Sequence, residues 1–380
     1  MKSDIAKMIR PEITNFAPYI AGRPIESVKK EYGLRRVIKL ASNENPLGAS
    51  PLAVSALKKS AGGIFRYPDS DSTALREAIA AKTNQKPSNI VAGGGSDELI
   101  EIIAKTFFTP GDEIVISSHA FIRYKMAGEL MGSKITEIPV KRNLAHDLIQ
   151  MAYAVTKKTK AVFIANPNNP TGTYSTVGEF EKFLSILAER KLFPLVVIDE
   201  AYYEYATFLS DDYPDSTRYF SRYPNLITLR TFSKIYGLAG LRLGYALCAA
   251  TETAKQLNRV RPPFNVNIAS QIAGIAALND REHLKKSLAV LDEGLDYLYL
   301  QFRKMGIGFI PTAGNFILVE ARPFKGADIF NELLRKGVIV RATDEYGLPD
   351  YFRVTVGLPR ENRIFISALK KIFTKCENKS

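Results

Sequence analysis

Val196-Val197-Ile198-Asp199-Glu200-Ala201-Tyr202-Tyr203 is an apolar run that stops abruptly at two acids. A strand apolar on both faces belongs to a sheet covered by helices on both sides. An aspartate at its end stands at the carboxyl edge, where open α/β sheets bind ligands. Comparable short runs recur at 89–92, 113–117, 134–140, 161–165, 195–198, 226–229 and 242–247, with helical patterns such as 97–107 and 177–191 between them. This alternation predicts an α/β fold whose large domain carries a mostly parallel, helix-covered sheet.

From Asn267 the pattern turns helical, and Leu284, Leu288, Leu291, Leu295, Leu298 and Phe302 fall near helical spacing, predicting a long helix over 282–305. Beyond it, strand, helix, strand, strand and helix are expected at 315–320, 327–335, 338–341, 351–356 and 361–373. These form a smaller α/β C-terminal unit. The expected division is a large domain over 46–275 and a small domain made of an N-terminal arm, 1–45, with 276–380.

The composition, 46% hydrophobic and 24% charged over 380 residues, is that of an ordinary globular protein. The formal charge of +13 favours anionic ligands. Its basic residues are dispersed, as in Lys29-Lys30, Arg35-Arg36, Lys157-Lys158 and Lys370-Lys371, which reads as a solvated surface and not as a nucleic-acid site. Cys248 and Cys376 lack a CxxC spacing, and His119, His146 and His283 lack the spacing of metal ligands, so a reduced, cytoplasmic, metal-free protein is expected. No run approaches a membrane span or a secretory leader.

Four constellations carry chemistry. In Gly93-Gly94-Gly95-Ser96-Asp97-Glu98 a strand gives way to a helix that Ser96 or Asp97 is expected to cap. Free N–H groups there suit a phosphate, although a plain glycine-rich turn reads equally well. Asn166-Pro167-Asn168-Asn169-Pro170-Thr171-Gly172 is a sharply specified loop, rigid enough to aim donors at a ligand or to serve as a connector. Asp199 either caps the next helix or pairs with a protonated pyridine nitrogen, with Tyr202 near the ring hydroxyl. In Thr231-Phe232-Ser233-Lys234, followed by Arg242, the lysine is either a strand-end residue beside a solvated arginine or an amine held neutral by burial and by that cation. The second reading, with Thr231, Ser233 and Arg242 around a phosphate, points to pyridoxal phosphate (PLP).

The ordered series Gly95-Ser96-Asp97-Glu98, Asn169-Pro170-Thr171-Gly172, Asp199 with Tyr202, Ser233-Lys234 with Arg242, and Arg353 in Tyr351-Phe352-Arg353-Val354-Thr355-Val356-Gly357 resembles the fold-type I PLP-dependent aminotransferases over nearly the whole chain. Ser42-Asn43-Glu44-Asn45-Pro46-Leu47-Gly48, Arg66-Tyr67-Pro68-Asp69, His119-Ala120-Phe121, Gly337-Val338-Ile339-Val340-Arg341 and the Tyr19–Pro24 segment look like the histidinol-phosphate aminotransferase subfamily. The resemblance implies transamination of L-histidinol phosphate with 2-oxoglutarate in histidine biosynthesis.

By the same resemblance Lys234 bonds to PLP and shuttles the proton, Asp199 holds the ring nitrogen, Asn169 and Tyr202 hold the ring oxygen, and Phe121 stacks on the ring. Ser96, Asp97, Thr231, Ser233 and Arg242 would take the phosphate, with Tyr67 reaching it from the other subunit of a homodimer. Arg353 and Arg341 would grip the substrate's acidic group, helped by Tyr19 and Asn45, although Arg341 also suits a strand-end salt bridge. Gly94 and Ala342-Thr343-Asp344-Glu345 depart from the subfamily pattern. They leave room for aromatic amino acids as donors. A phosphothreonine decarboxylase-type lyase would use the same lysine and aspartate, and a PLP-sensing regulator would need a further module for which the short N-terminal segment is expected to leave no space.

Overall fold

The computed structural model describes residues 5–14, 16 and 22–377. Thirteen strands run through the described residues: β1 Ile38–Lys39, β2 Ile90–Gly93, β3 Glu113–Ser117, β4 Lys134–Ile138, β5 Thr159–Ala165, β6 Leu195–Asp199, β7 Leu226–Thr231, β8 Gly244–Cys248, β9 Phe309–Ile310, β10 Phe316–Glu320, β11 Val338–Ile339, β12 Arg341–Ala342 and β13 Tyr351–Thr355. Seven of them form one sheet in the order β2-β8-β7-β6-β5-β3-β4, in which β8 alone runs against its neighbours.

The side-chain period of two sends alternate residues to opposite faces. Val162, Ile164, Val196 and Ile198 join one apolar core, while Ala161, Phe163, Ala165 and Val197 join the other. Two buried faces explain why these strands read as unbroken apolar runs.

Most strand ends lie within two residues of the sequence reading, and two of the differences bear on how the site is built. The strand expected at 242–247 begins only at Gly244, because Arg242 takes left-handed backbone at φ 53 after the turn Ala239–Leu241 and so cannot lie in a strand. A Cβ on Gly244 would stand 2.7 Å from Gly95 C and Ser96 N. The strand expected at 338–341 is two strands: β11 pairs in parallel with β1, and β12 pairs antiparallel with β13 in a second sheet of order β12-β13-β10-β9. The chain changes sheets at Val340. The long helix forms at Arg281–Lys304, capped by Asp280, whose side chain accepts from His283 N.

The segment after β1 binds the second sheet to the large one. Leu40 N donates to Ile339 O at 2.7 Å, Thr355 N to Leu40 O at 2.8 Å, and Ser50 N to Tyr236 O at 3.1 Å. Gly237 (φ 68) is required where the two segments touch, since a Cβ there would lie 2.0 Å from Gly48 O. No helix among the described residues is long and apolar enough to cross a membrane.

Candidate active site

Strands β5, β6 and β7 end at a cavity of about 480 Å³ lined by Ala165, Asp199 and Thr231, by Ser96 and Asp97 of the helix Ser96–Phe107, and by Arg341 and Arg353 of the second sheet. Lys234, Ser233, Arg242, Asn169, Tyr202 and Phe121, also singled out by the sequence, line it as well. Segments as far apart as Ala41 and Arg353, 312 residues from each other, meet here because parallel strands place their carboxyl ends on one edge and the second sheet closes over it.

Lys234 sits in the turn after β7, its Nζ donating to Ser42 O at 3.3 Å and lying 5.6 Å from the Tyr202 ring centroid. Enclosure, then the guanidinium of Arg353, then that of Arg242 push its amine down to about 8, against the opposing pull of Glu44 and Asp199. Arg242, the cation expected from the sequence, therefore acts behind Arg353. A residue 119 positions away in the chain supplies the stronger field, and no local pattern announces it.

Asp199 ends β6 with both oxygens engaged: Tyr124 Oη donates to Oδ2 at 2.8 Å and Ala201 N to Oδ1 at 3.1 Å. Burial pushes its carboxyl up to about 6 even though both bonds favour the charged form. Phe121 packs edge-on to Tyr124, with centroids 5.7 Å apart at 82°. Asn43 Nδ2 donates to Tyr202 Oη at 2.8 Å, and burial pushes the phenol of Tyr202 up to about 12.

An anion cradle lies beside these groups. The cap of the helix Ser96–Phe107 is Gly95 at φ 87, with no side-chain cap; neither Ser96 nor Asp97 takes that position. A Cβ on Gly95 would stand 2.8 Å from Arg242 Nη2, so only glycine lets the arginine approach. The Asp97 carboxylate is turned to Arg123, which also binds Glu101 at 2.6 Å. What Asp97 can offer an anion is thus its backbone N–H, free in the first helical turn. Thr231 Oγ1 donates to Ser233 Oγ at 3.0 Å, placing two hydroxyls at the same mouth.

Arg341 and Arg353 face each other in the β12–β13 register. Arg353 is 5% exposed, donates from Nη1 to Asn169 Oδ1 and from Nη2 to Ala41 O, and keeps a buried Nε without a partner among the described residues. Arg341 is ion-paired with Glu345, as its salt-bridge reading expects, and also lines the cavity.

Asn45 does not line the cavity. Its Nδ2 donates to Ile235 O at 2.7 Å and to Ser287 Oγ at 2.8 Å, tying the turn after Lys234 to the long helix. Tyr67 is 82% exposed and stacks on Phe264 at 4.7 Å, away from this chain's own cavity. Tyr19 lies outside the described residues. Reading the sequence missed Tyr124, Asn43 and Arg123 as site residues. Arg123 and Tyr124 reach the cavity from a segment whose local pattern is that of an ordinary helix, and Asn43 from the motif at 42–48, in which only Asn45 was picked out.

Behind Asp199, a buried network braces β6 and β7. Arg230 Nη2 lies 2.7 Å from Glu200 Oε2 and 3.1 Å from Asp215 Oδ1, with its guanidinium 3.4 Å from the Tyr203 ring centroid.

Comparison with known proteins gives the family. The family described as aminotransferase class I and II matches residues 35–369. The chain is 47% identical over 364 residues to histidinol-phosphate aminotransferase of Moorella thermoacetica, covering 96% of this chain and 92% of that one. It is 45% identical over 365 residues to histidinol-phosphate aminotransferase 2 of Carboxydothermus hydrogenoformans, covering 96% and 99%. Among solved structures, histidinol-phosphate aminotransferase from Sinorhizobium meliloti in complex with pyridoxal-5'-phosphate is similar with a TM-score of 0.87 at 26% identity, over 97% of this chain and 98% of that one.

Proposed function

The chain belongs to the class I and II aminotransferases, and from that membership we propose that it transfers the amino group of L-histidinol phosphate to 2-oxoglutarate, yielding imidazole acetol phosphate and L-glutamate. The carrying observation is one cavity that combines an amine titrating near 8, a buried carboxylate, an anion cradle and two guanidinium groups. The full-length likeness to histidinol-phosphate aminotransferases supports the choice of donor.

The cofactor is pyridoxal phosphate, and the cradle fits it: Gly95 leaves open the space beside Arg242 that any side chain would fill. When bound, PLP supplies an electron-poor ring that stabilises the electron pair released at the substrate carbon. We assign its phosphate to the N–H groups of Ser96 and Asp97 with Thr231, Ser233 and Arg242, its ring nitrogen to Asp199, its ring oxygen to Asn169 and Tyr202, and its face to Phe121. A positive partner at Asp199 would hold that carboxylate ionised despite its burial. Lys234 Nζ, half neutral at about pH 8 and increasingly so above it, offers the free amine needed to bond the cofactor and then to carry the substrate's proton. Arg353 and Arg341 would bind the acidic group of each substrate through paired N–H donors.

In this reading residues 46–275 form the cofactor-binding domain and 1–45 with 276–380 the small one, and the enzyme works in the cytoplasm as a homodimer. The exposed cluster of Ile64, Phe65 and Tyr67 beside Phe264 supports the dimer, since a contiguous apolar patch marks a contact surface. Tyr67 would then reach the phosphate of the partner's cofactor.

The aromatic lining by Phe121, Tyr124, Tyr202 and Tyr346 favours a second reading, aromatic amino acids as donors. A panel of histidinol phosphate, phenylalanine, tyrosine and aspartate with 2-oxoglutarate, followed by glutamate formation, separates the two. Carbon dioxide release without glutamate formation would replace both with a lyase.

A further inference from the structure

Arg341 already carries an anion of its own chain. Its Nη2 is ion-paired with the Glu345 carboxylate four residues on, the two side chains being only 11% and 20% exposed. The turn that presents Glu345 is fixed from both sides. Thr343 Oγ1 lies 2.8 Å from both Leu348 O and Tyr351 O, and His119 Nδ1 lies 2.5 Å from Tyr346 O. Gly347, at φ 71, closes the turn against the His119 ring. Glu345 therefore meets Arg341 by construction, and not as a loose surface chain.

The electrostatics give the pair a task. Arg341 and Arg353 are register partners on adjacent strands of one cavity wall, and like charges so placed repel. Arg353 donates to neutral acceptors, Asn169 Oδ1 and Ala41 O, whereas Arg341 has a full negative charge at hand.

We propose that Glu345 is a resident counter-anion which the acidic group of the substrate displaces from Arg341, so that this carboxylate sets how tightly the cavity holds anionic donors. The inference rests on the reading of Arg341 as a substrate-binding residue. An incoming phosphate must give back the stabilisation of the resident pair before it gains its own, and a partly exposed pair of this kind weakens binding by about fivefold.

The test uses the PLP-loaded enzyme, so that the cofactor's own phosphate site is filled. Calorimetric titration with inorganic phosphate should give a Kd about fivefold lower for Glu345→Gln than for the unaltered protein, with Glu345→Ala changing it in the same direction. The gain should vanish when Arg341→Met is introduced as well, since the effect runs through that guanidinium. The KM for histidinol phosphate should fall in parallel in Glu345→Gln. An unchanged Kd, or a higher one as expected if Glu345 only orients Arg341, overturns the inference. Tighter phosphate binding by a protein that does not transaminate histidinol phosphate would leave the counter-anion standing and remove the assigned donor.

Discussion

Tyr124 donates its hydroxyl proton to Asp199 Oδ2 across 2.8 Å, joining the helix Arg123–Leu130 to the end of β6. Both groups are buried, and the bond favours the charged carboxylate over the neutral acid. In the proposed site this bond would keep Asp199 fit to pair with a protonated ring nitrogen.

Tyr124→Phe removes that donor and leaves the packing nearly intact. A hydrogen bond to a charged group contributes about 1.5 kcal/mol or more, so PLP affinity should fall about tenfold. Fluorescence titration of the apoprotein with PLP measures it; an unchanged Kd would assign Tyr124 to packing alone.

Lys234→Ala should fold, yet lose both the absorbance of covalently bound cofactor and transamination. Its amine also carries a stability signature. The folded value near 8 lies below the ordinary 10.5, so the unfolded chain binds more protons between those limits, and apoprotein stability rises with pH across that window. Below about pH 8 the full penalty is present. Lys234→Met should therefore stabilise the apoprotein at pH 7 by roughly 2 kcal/mol, discounted for the partial exposure of the side chain. The gain should shrink as the pH approaches 10.5. Urea unfolding at pH 7 and pH 10 checks both sign and trend.

For Arg353→Lys the charge survives but the fork that binds Asn169 Oδ1 and Ala41 O together does not. Substrate KM should rise about tenfold or more while the PLP Kd changes little, because only the acidic group of the substrate needs the two parallel donors. The opposite split would move Arg353 to the cofactor's side of the cavity.

Arg230→Met should unfold at lower denaturant than any of these variants. It strips the cation from Glu200 and Asp215, and an uncompensated buried charge costs about 3 to 5 kcal/mol. Equilibrium unfolding in urea reads this directly; a loss under about 1 kcal/mol would mean that the two acids escape to water or take up protons cheaply.

The inner strands of the large sheet, such as β6 with Val196, Val197 and Ile198, were legible because burial on both faces favours apolar residues at successive positions, which a short window of sequence displays. Asp199 and Lys234 were legible for the converse reason: each is an ionisable side chain at the end of such a run, where local chemistry disagrees with its surroundings. Tyr124 shows the limit. Its partner is 75 residues away, and its own helix reads as ordinary. Asn43 meets Tyr202 across 159 residues. Capping went astray at Gly95, since Ser96 is the better capping side chain and only the approach of Arg242 demands glycine before it.

By itself, the sequence determined the α/β layering and the order of the motifs, and it singled out Lys234 and Asp199 as the candidate amine and acid, because each is written in the composition of a short segment. The tertiary structure alone decided which cation lowers Lys234, which phenol holds Asp199, where Asn45 points and which carboxylate stands against Arg341. Fields and hydrogen bonds act through a few ångströms of space and are indifferent to distance along the chain, so these pairings exist only once the strands have brought their ends to one edge.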